Sequence, residues 1–489
     1  MRSYGLVSKN ALALSAAVLL CGCQTLETKN NTPDFENQFS QGSYQAAAET
    51  ALSAGKIDQD GSSNSLLWSL QAGASLSANG DFKRSNTVFN GAETLMKKED
   101  TEHIAKKGFE KATAVLLNNS FNDYSPAVYD GVMVNTYKAR NCMLLNDMQD
   151  ARIEFNRAAD RQRRAEEHFK EKIKEQEQKL AKQKSDNESQ NRGQTKSVSS
   201  QMGLNYDKSV AESQKTIYES YPELENWKVY PDFVNPYTDY LHGLYFLLGS
   251  QDKSDFGKSR ESLRRVAGMV PKNKAVATDL KVANNLRKGN WRKHKLNPAV
   301  WVVFENGQAP VVKENLIPLP LFLINDKVDY AQIALPKLEP RHRAYSFIDI
   351  YNGKKKLGRT EHLASIDRVV QTEFKKELPY KVTEAVISTM TKALIQYKVQ
   401  EKAGAFGSIA SIVYQAATTH ADTRSWTSLP KEIQVARLRK PKNGTLELRA
   451  PELSTPIAIQ LPDTRFSVVF VKATSATGTP VFNVVGFDA

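Results

Sequence analysis

The chain is poor in the residues that usually mark chemistry. Cysteine occurs three times in 489 residues, at positions 21, 23 and 142. Two of these lie close together near the N-terminus, so Cys142 is the lone thiol of the body. That excludes an intrachain disulfide framework and a cysteine-based zinc site. Within Ala-Arg-Asn-Cys-Met-Leu-Leu, a helical pattern, Cys142 reads as a buried and inert packing residue. The histidines, at 103, 168, 242, 294, 342, 362 and 420, show no ligand spacing. His-Glu-x-x-His, Gly-x-Ser-x-Gly and the phosphate-binding loop are missing. Long apolar runs are missing as well. Ala11 to Leu20 carries no charge but is too short to span a bilayer as a mature helix. Ala403 to Ala421 is also uncharged, yet its Ser, Gln and Gly content points to a buried core helix at Phe406 to Ala417.

The short run at the start has a more specific reading. Arg2 and Lys9 give it a basic flank, and Leu20-Cys21-Gly22-Cys23 follows. This is similar to a bacterial lipobox, which implies a signal peptide over 1–22 and acylation of Cys23 on its sulfur and new amino group. Several chains at about 0.8 kcal/mol per buried methylene would hold the protein firmly to a bilayer. Gln24, where an aspartate would retain the protein elsewhere, resembles an outer-membrane sorting signal. The expected location is the periplasmic face of the outer membrane, with residues 23–36 as a flexible tether, Gln24 to Pro33 being polar and poor in apolar residues.

Charge excludes little by itself. The net formal charge of +13 would ordinarily suggest nucleic acid, but an export signal argues against that partner. Anionic lipid headgroups and acidic protein surfaces fit a basic envelope protein, and a dispersed excess of Lys that keeps the surface soluble fits better still. With 40% apolar residues the chain can bury ordinary cores in two or three domains.

From about Phe35 an internal repeat emerges. Gly42-Ser43-Tyr44 precedes Ala47, Ala51 and Ala54. Gly73 is followed by Gly80-Asp81-Phe82, then Ser85, Phe89 and Ala92. Ala139 is followed by Asn146-Asp147-Met148, then Ala151, Phe155 and Ala158. A looser copy has Gly243, Phe246, Asp255-Phe256, Leu263 and Pro271. Small residues let two helices approach, the turn needs positive φ, and the large residue fills the groove. The pattern resembles the tetratricopeptide repeat of about 34 residues, which would place repeats over 37–160 and 206–290. The anchors Ala47, Ser85 and Ala151 stand about one and about two repeats apart, so a worn copy is expected around Phe109 to Leu117. Residues 161–205 interrupt the repeats. Arg157 to Lys184 alternates acid and base over a thin stripe of Phe169, Ile173 and Leu180, which predicts a solvated helix rather than a coiled coil. Ser185 to Ser200 reads as disordered.

After Trp291 the period changes from helical to alternating. Val300 to Phe304, Asn306-Gly307 and Pro310 to Val312 predict a hairpin. Further strands are expected at 345–350, 433–438, 445–449, 457–461, 466–471 and 481–486. A helix is expected after a break at Pro379, with Val382, Val386, Met390, Ala393 and Tyr397 on one face. The fold class is therefore α + β and multidomain, with a repeat-like helical N-terminal part and an α+β domain over 291–489.

Two segments, Tyr129 to Tyr137 (Tyr-Asp-Gly-Val-Met-Val-Asn-Thr-Tyr) and Ala421 to Pro430 (Ala-Asp-Thr-Arg-Ser-Trp-Thr-Ser-Leu-Pro), resemble a family of uncharacterised proteobacterial outer-membrane lipoproteins. That resemblance runs through the chain after the signal and brings no activity with it. Its members are often encoded near a lipoprotein activator of penicillin-binding proteins, which implies the peptidoglycan synthesis machinery as a partner. Ser53-Ala54-Gly55-Lys56, Ser185-Asp186-Asn187 and Lys442-Asn443-Gly444 mimic the penicillin-binding serine motifs. The last lacks its Thr, and the trio reads as chance. Asp422, Arg424 and Trp426 are expected to form a buried clamp or a ligand corner. Tyr129, Asp130 and Tyr137 are expected on the concave repeat surface, where peptides dock. The expected function is a non-enzymatic periplasmic adaptor that binds an outer-membrane or periplasmic protein, with no cofactor and no metal. The alternative is a peptidoglycan hydrolase or other enzyme with its site in the C-terminal domain.

Overall fold

Helix ends of one backbone shape set the spacing of the helical layer. In the computed structural model, which describes residues 31–105, 124–191, 206–230, 234–319, 331–383, 385–386, 389 and 420–488, Gly42, Gly80 and Asn146 have φ of 77°, 90° and 60°. Each follows a helix: α1 (31–40), α3 (Leu66–Asn79) and α5 (Val128–Leu144). At all three the next amide reaches five residues back, Ser43 N to Gln38 O, Asp81 N to Leu76 O and Asp147 N to Cys142 O. This left-handed stop releases the chain straight into a second helix: α2 (Tyr44–Ala54), α4 (Phe82–Ala105) and α6 (Met148–Asn191).

The small-residue pattern then brings the paired helices close. Ser85 Oγ donates to Gly73 O at 2.7 Å, and Ser259 Oγ donates to Gly243 O at 2.8 Å. A Cβ on Gly73 would stand 2.5 Å from the Phe89 ring, and one on Gly243 would stand 2.8 Å from Leu263. Phe89, Phe155 and Leu263 are fully buried. The looser copy is α8 (Pro236–Leu248) with α9 (Lys253–Met269), followed by α10 (Lys274–Arg287). Helix α7 (Tyr206–Glu219) lies between α6 and α8 in the chain.

The C-terminal half builds three sheets from β1 (Ala299–Asn306), β2 (Val311–Leu319), β3 (Ala331–Glu339), β4 (Asp349–Asn352), β5 (Lys355–Arg359), β6 (Glu361–Ser365), β7 (Glu432–Arg439), β8 (Thr445–Arg449), β9 (Ile457–Gln460), β10 (Phe466–Ala473) and β11 (Val481–Phe487), with helix α11 (366–383) after β6. Among the described residues, a five-stranded sheet runs β11-β10-β1-β7-β6, a four-stranded sheet runs β5-β4-β8-β9, and β2 pairs only with β3. The β1–β10 pair is parallel and its neighbours are antiparallel. Strand alternation divides β1 between two cores. Val300, Val302 and Phe304 pack with Ile350, Leu446 and Leu448 between the two large sheets. Trp301 and Val303 face the helices, in a core shared with Leu70, Tyr137 and Tyr237. The layers are therefore helices, sheet, sheet.

The protein is mixed α+β, with helices leading and sheets following, and several finer expectations change. The core crosses the expected boundary at residue 290, so the two parts are packed as one body. The hairpin of β1 with β2 does not form, because β1 is flanked on both edges by β10 and β7. The tether ends earlier than residue 36, since 31–40 is helical and Phe35 and Phe39 are buried against Trp68 and Tyr44. Pro379 does not break a helix; it lies inside α11. Residues 185–191, expected to be disordered, continue α6. The worn repeat at Phe109 to Leu117, residues 192–205 and the uncharged segment at Phe406 to Ala417 lie outside the described residues.

Candidate functional site

The concave face expected to receive a partner is filled by the chain's own sheet. Every residue from Leu66 to Ala78, from Asp130 to Met143 and from Pro236 to Leu248 is buried. These inner helices α3, α5 and α8 meet the sheet through a dry ionic cluster. Glu305, the one charged residue of β1, accepts from Arg140 Nη1 at 2.5 Å, from Tyr237 Oη at 2.7 Å and from Lys472 Nζ at 3.0 Å. Arg140 Nη2 donates to Ser77 Oγ at 2.7 Å, and its guanidinium lies 4.6 Å from the Tyr137 ring centre. One carboxylate thus ties together α3, α5, α8, β1 and β10.

The electrostatics suit a clamp. Burial by itself would raise the Glu305 carboxyl, but Arg140 and Lys472 outweigh it and hold it below the usual range. Burial lowers Lys472, which Glu305 offsets only in part. Tyr237 is pushed well above its ordinary value by burial and then by Glu305, so it stays a hydrogen-bond donor. A second buried carboxylate, Asp279 on α10, receives Trp301 Nε1 at 3.1 Å and Tyr240 Oη at 2.9 Å and faces Arg437 at 2.9 Å. Burial raises it to about 6, against the pull of Arg437, Trp301 and Tyr240. The Glu305 cluster is buried throughout, and the Asp279 cluster reaches solvent at Arg437, which is 20% exposed. Both join layers.

Cys23 and Gln24 lie outside the described residues. Asp422 and Arg424 do pair, in a bidentate bond of 2.9 and 2.7 Å. The Arg424 amide also donates to Asp422 Oδ1, so the pair closes its own turn. With side-chain exposures of 35% and 23%, it is not the buried clamp expected between helix and strand. Trp426 is the buried member. Its ring sits 6.0 Å from both Phe89 and Tyr137, and Nε1 donates to Ser428 Oγ at 2.8 Å. The neighbouring loop is stitched to α3 and α1: Gln71 Nε2 donates to Thr427 Oγ1 at 2.8 Å, Thr427 Oγ1 donates to Glu36, and Arg341, which follows β3, donates to both Glu36 and Thr427 O. The segments Tyr129 to Tyr137 and Ala421 to Pro430 therefore meet inside the molecule, through Tyr137 and Trp426.

This corrects the docking expectation. Tyr137 and Asp130 are fully buried, and Tyr129 is half-buried against the core. Asp130 caps the start of α5: its Oδ2 receives Tyr124 Oη at 2.8 Å and Ala127 N at 2.9 Å, while Oδ1 has no partner among the described residues. Burial raises its carboxyl to about 7, resisted by those two bonds. His242 is pushed down to about 3 by burial and then by Arg265 and Lys258, and it pairs with Ser262 at 2.9 Å. Cys142 is buried, with its thiol raised to about 11. Among the described residues no group of three or more His, Cys, Asp or Glu side chains could hold a metal ion.

Sequence reading missed Glu305, Arg140 and Lys472. A signal was present for two of them, since Val-Trp-Val-Val-Phe-Glu-Asn and Phe-Ser-Val-Val-Phe-Val-Lys-Ala each carry a lone charge at the second-last position of a mostly apolar strand. No family model, no curated protein and no solved structure matches the chain.

Proposed function

We propose that the protein is a non-enzymatic adaptor, anchored through acylated Cys23 to the periplasmic face of the outer membrane. Its helical layer is a worn tetratricopeptide-like array, a reading supported by the shared turn geometry and by the Gly73–Ser85–Phe89 and Gly243–Ser259–Leu263 packing. The array is closed on its inside by the C-terminal sheet, so partners dock on its outer side. The observation that carries this is helix α6. Ala165 is the last side chain described as buried, and Glu167, Lys170, Glu171, Lys174 and Gln178 beyond it are exposed. At about 1.5 Å per residue, the rest of the helix extends about 40 Å past that point. A charged helix of that reach adds little to the body's own core and offers a long face to another protein of the envelope. The peptidoglycan synthesis machinery is the partner class that the family resemblance favours.

The test places a photocrosslinking residue at Glu171 or Lys174 of the full lipidated protein in living cells, with Tyr137 as the buried control. The adaptor reading expects one dominant partner at the α6 positions and none at residue 137. It also expects a chain with residues 166–205 replaced by a short Gly-Ser linker to fold but fail to complement a deletion strain. Full complementation by that chain, together with release of soluble fragments from purified peptidoglycan, would move the assignment to an enzyme. Anchoring is tested separately: Cys23→Ser should abolish labelling by palmitate and leave the membrane fraction.

A further inference from the structure

The excess positive charge is not spread evenly over the surface. Helices α9 and α10 enclose an open groove of about 450 Å³ lined by Arg260, Leu280, Lys281, Asn284, Arg287 and Lys288, among other residues, none of them acidic. Arg260 is committed, to Asn284 at 2.9 Å and to Glu261. Lys281, Arg287 and Lys288 are exposed and make no ion pair among the described residues. The face continues past the end of α10. Asn290 N and Trp291 N both bond to Asn285 O, at 2.9 and 3.2 Å, which folds Trp291 back beside the groove. Trp291 is 38% exposed, whereas Trp68, Trp301 and Trp426 are buried. Arg292 and Lys295 extend the basic surface, where Lys293 lies half-buried and feels the charge of Asp488.

We infer that this face, from Lys281 to Lys295, is a docking surface for an anionic phospholipid bilayer. Cations at the rim meet the phosphates, and Trp291 sits at headgroup depth. An indole with an apolar body and a polar N–H favours the boundary between headgroups and acyl chains, and neighbouring Lys and Arg favour its anionic side. An acidic protein would also answer the charge, but it supplies no reason for an unpacked tryptophan next to the cations. The inference does not depend on acylation of Cys23, because the surface belongs to the body.

The experiment uses the chain from Gln24, which keeps every described residue and carries neither the apolar leader nor the acylation site. Binding is measured by co-sedimentation with vesicles of three parts phosphatidylglycerol to seven parts phosphatidylethanolamine, and with phosphatidylcholine vesicles. Each cation near an anionic surface contributes about fivefold in affinity, so the triple variant Lys281→Gln, Arg287→Gln, Lys288→Gln should bind about a hundredfold more weakly. The variant Lys354→Gln, Lys355→Gln, Lys442→Gln removes the same charge from exposed positions elsewhere and should bind as the wild type does. Brominated acyl chains should quench the wild-type fluorescence, and Trp291→Phe should lose that quenching while Trp68, Trp301 and Trp426, all buried, and Trp227, half-buried against Phe374, stay unaffected. Equal loss in the two triple variants would reduce the effect to net charge and overturn the proposal. So would wild-type quenching that survives Trp291→Phe, or a surface that binds soluble polyphosphate but not vesicles.

Discussion

Replacing Glu305 by Gln tests how the helices are held to the sheet. The carboxylate compensates two cations that are 7% exposed, Arg140 and Lys472, and removing it leaves both in a dry interior. Lys472 can escape by giving up its proton, since burial already lowers it; Arg140 cannot. Breaking a buried pair from one side costs about 3–5 kcal/mol, a large share of the roughly 5–15 kcal/mol that stabilises an ordinary fold. Urea unfolding followed by tryptophan fluorescence and by far-ultraviolet circular dichroism should show that loss as one shared transition, because Trp301 and Trp426 both sit at the junction. The loss should shrink in acid. A carboxyl depressed in the native state stabilises the fold above its unfolded value, and that stabilisation is lost as pH falls through the lower native value, so the gap between Glu305→Gln and wild type should begin to narrow only once pH drops below the ordinary glutamate range and should keep narrowing with further acid. The triple change Glu305→Gln, Arg140→Met, Lys472→Met should recover most of the loss, because an apolar replacement leaves no charge to compensate. A cost under about 1 kcal/mol for Glu305→Gln, or no recovery in the triple variant, would show that the cluster is not the clamp.

Other outcomes follow from single contacts. Gly73→Ala should cost about 1–3 kcal/mol, because the Phe89 ring it would meet is buried and has no room to retreat, whereas Gly80→Ala is strained only by its left-handed φ. Phe89→Ala should cost about 3–5 kcal/mol and weaken the packing of Trp426, readable as a red shift in its fluorescence. Asp130→Asn should gain on the wild type as pH rises. Its native carboxyl, raised to about 7, favours the fold only while protonated, so wild-type stability falls between about pH 4 and pH 7, by at most about 4 kcal/mol, and the variant lacks that slope in paired pH-dependent melts.

What was legible in the sequence was local. Gly42, Gly80 and Asn146 each mark a left-handed stop because the next residues, Ser43, Asp81 and Asp147, begin a helix directly. Ser85 and Phe89 show their partner Gly73 through a fixed spacing on two adjoining helices. The Asp422–Arg424 pair was legible for the same reason, being two residues apart. Long-range pairing was not. Asn306-Gly307 looks like a hairpin turn, but β1 takes β10 as its parallel neighbour from far along the chain, and no short-range pattern reports that choice. Strands β3 and β6 lack clean alternation: Pro336 sits within one and His362 within the other. Tyr137 was misplaced because a tyrosine on the inner helix of a helical layer can face a peptide or a sheet with the same spacing. Only the sheet's arrival makes it core.

The central claim is that the helical layer and the sheet form one closed body whose inner face is already occupied. Native-state hydrogen exchange on the full chain tests it directly. Amides in the middle of α3, α5 and α8 should exchange only through the same global opening as those of β1 and β10, with matching free energies and matching denaturant dependence. If those helices exchange through a smaller opening while β1 and β10 stay protected, the inner face is available to partners and the account is wrong.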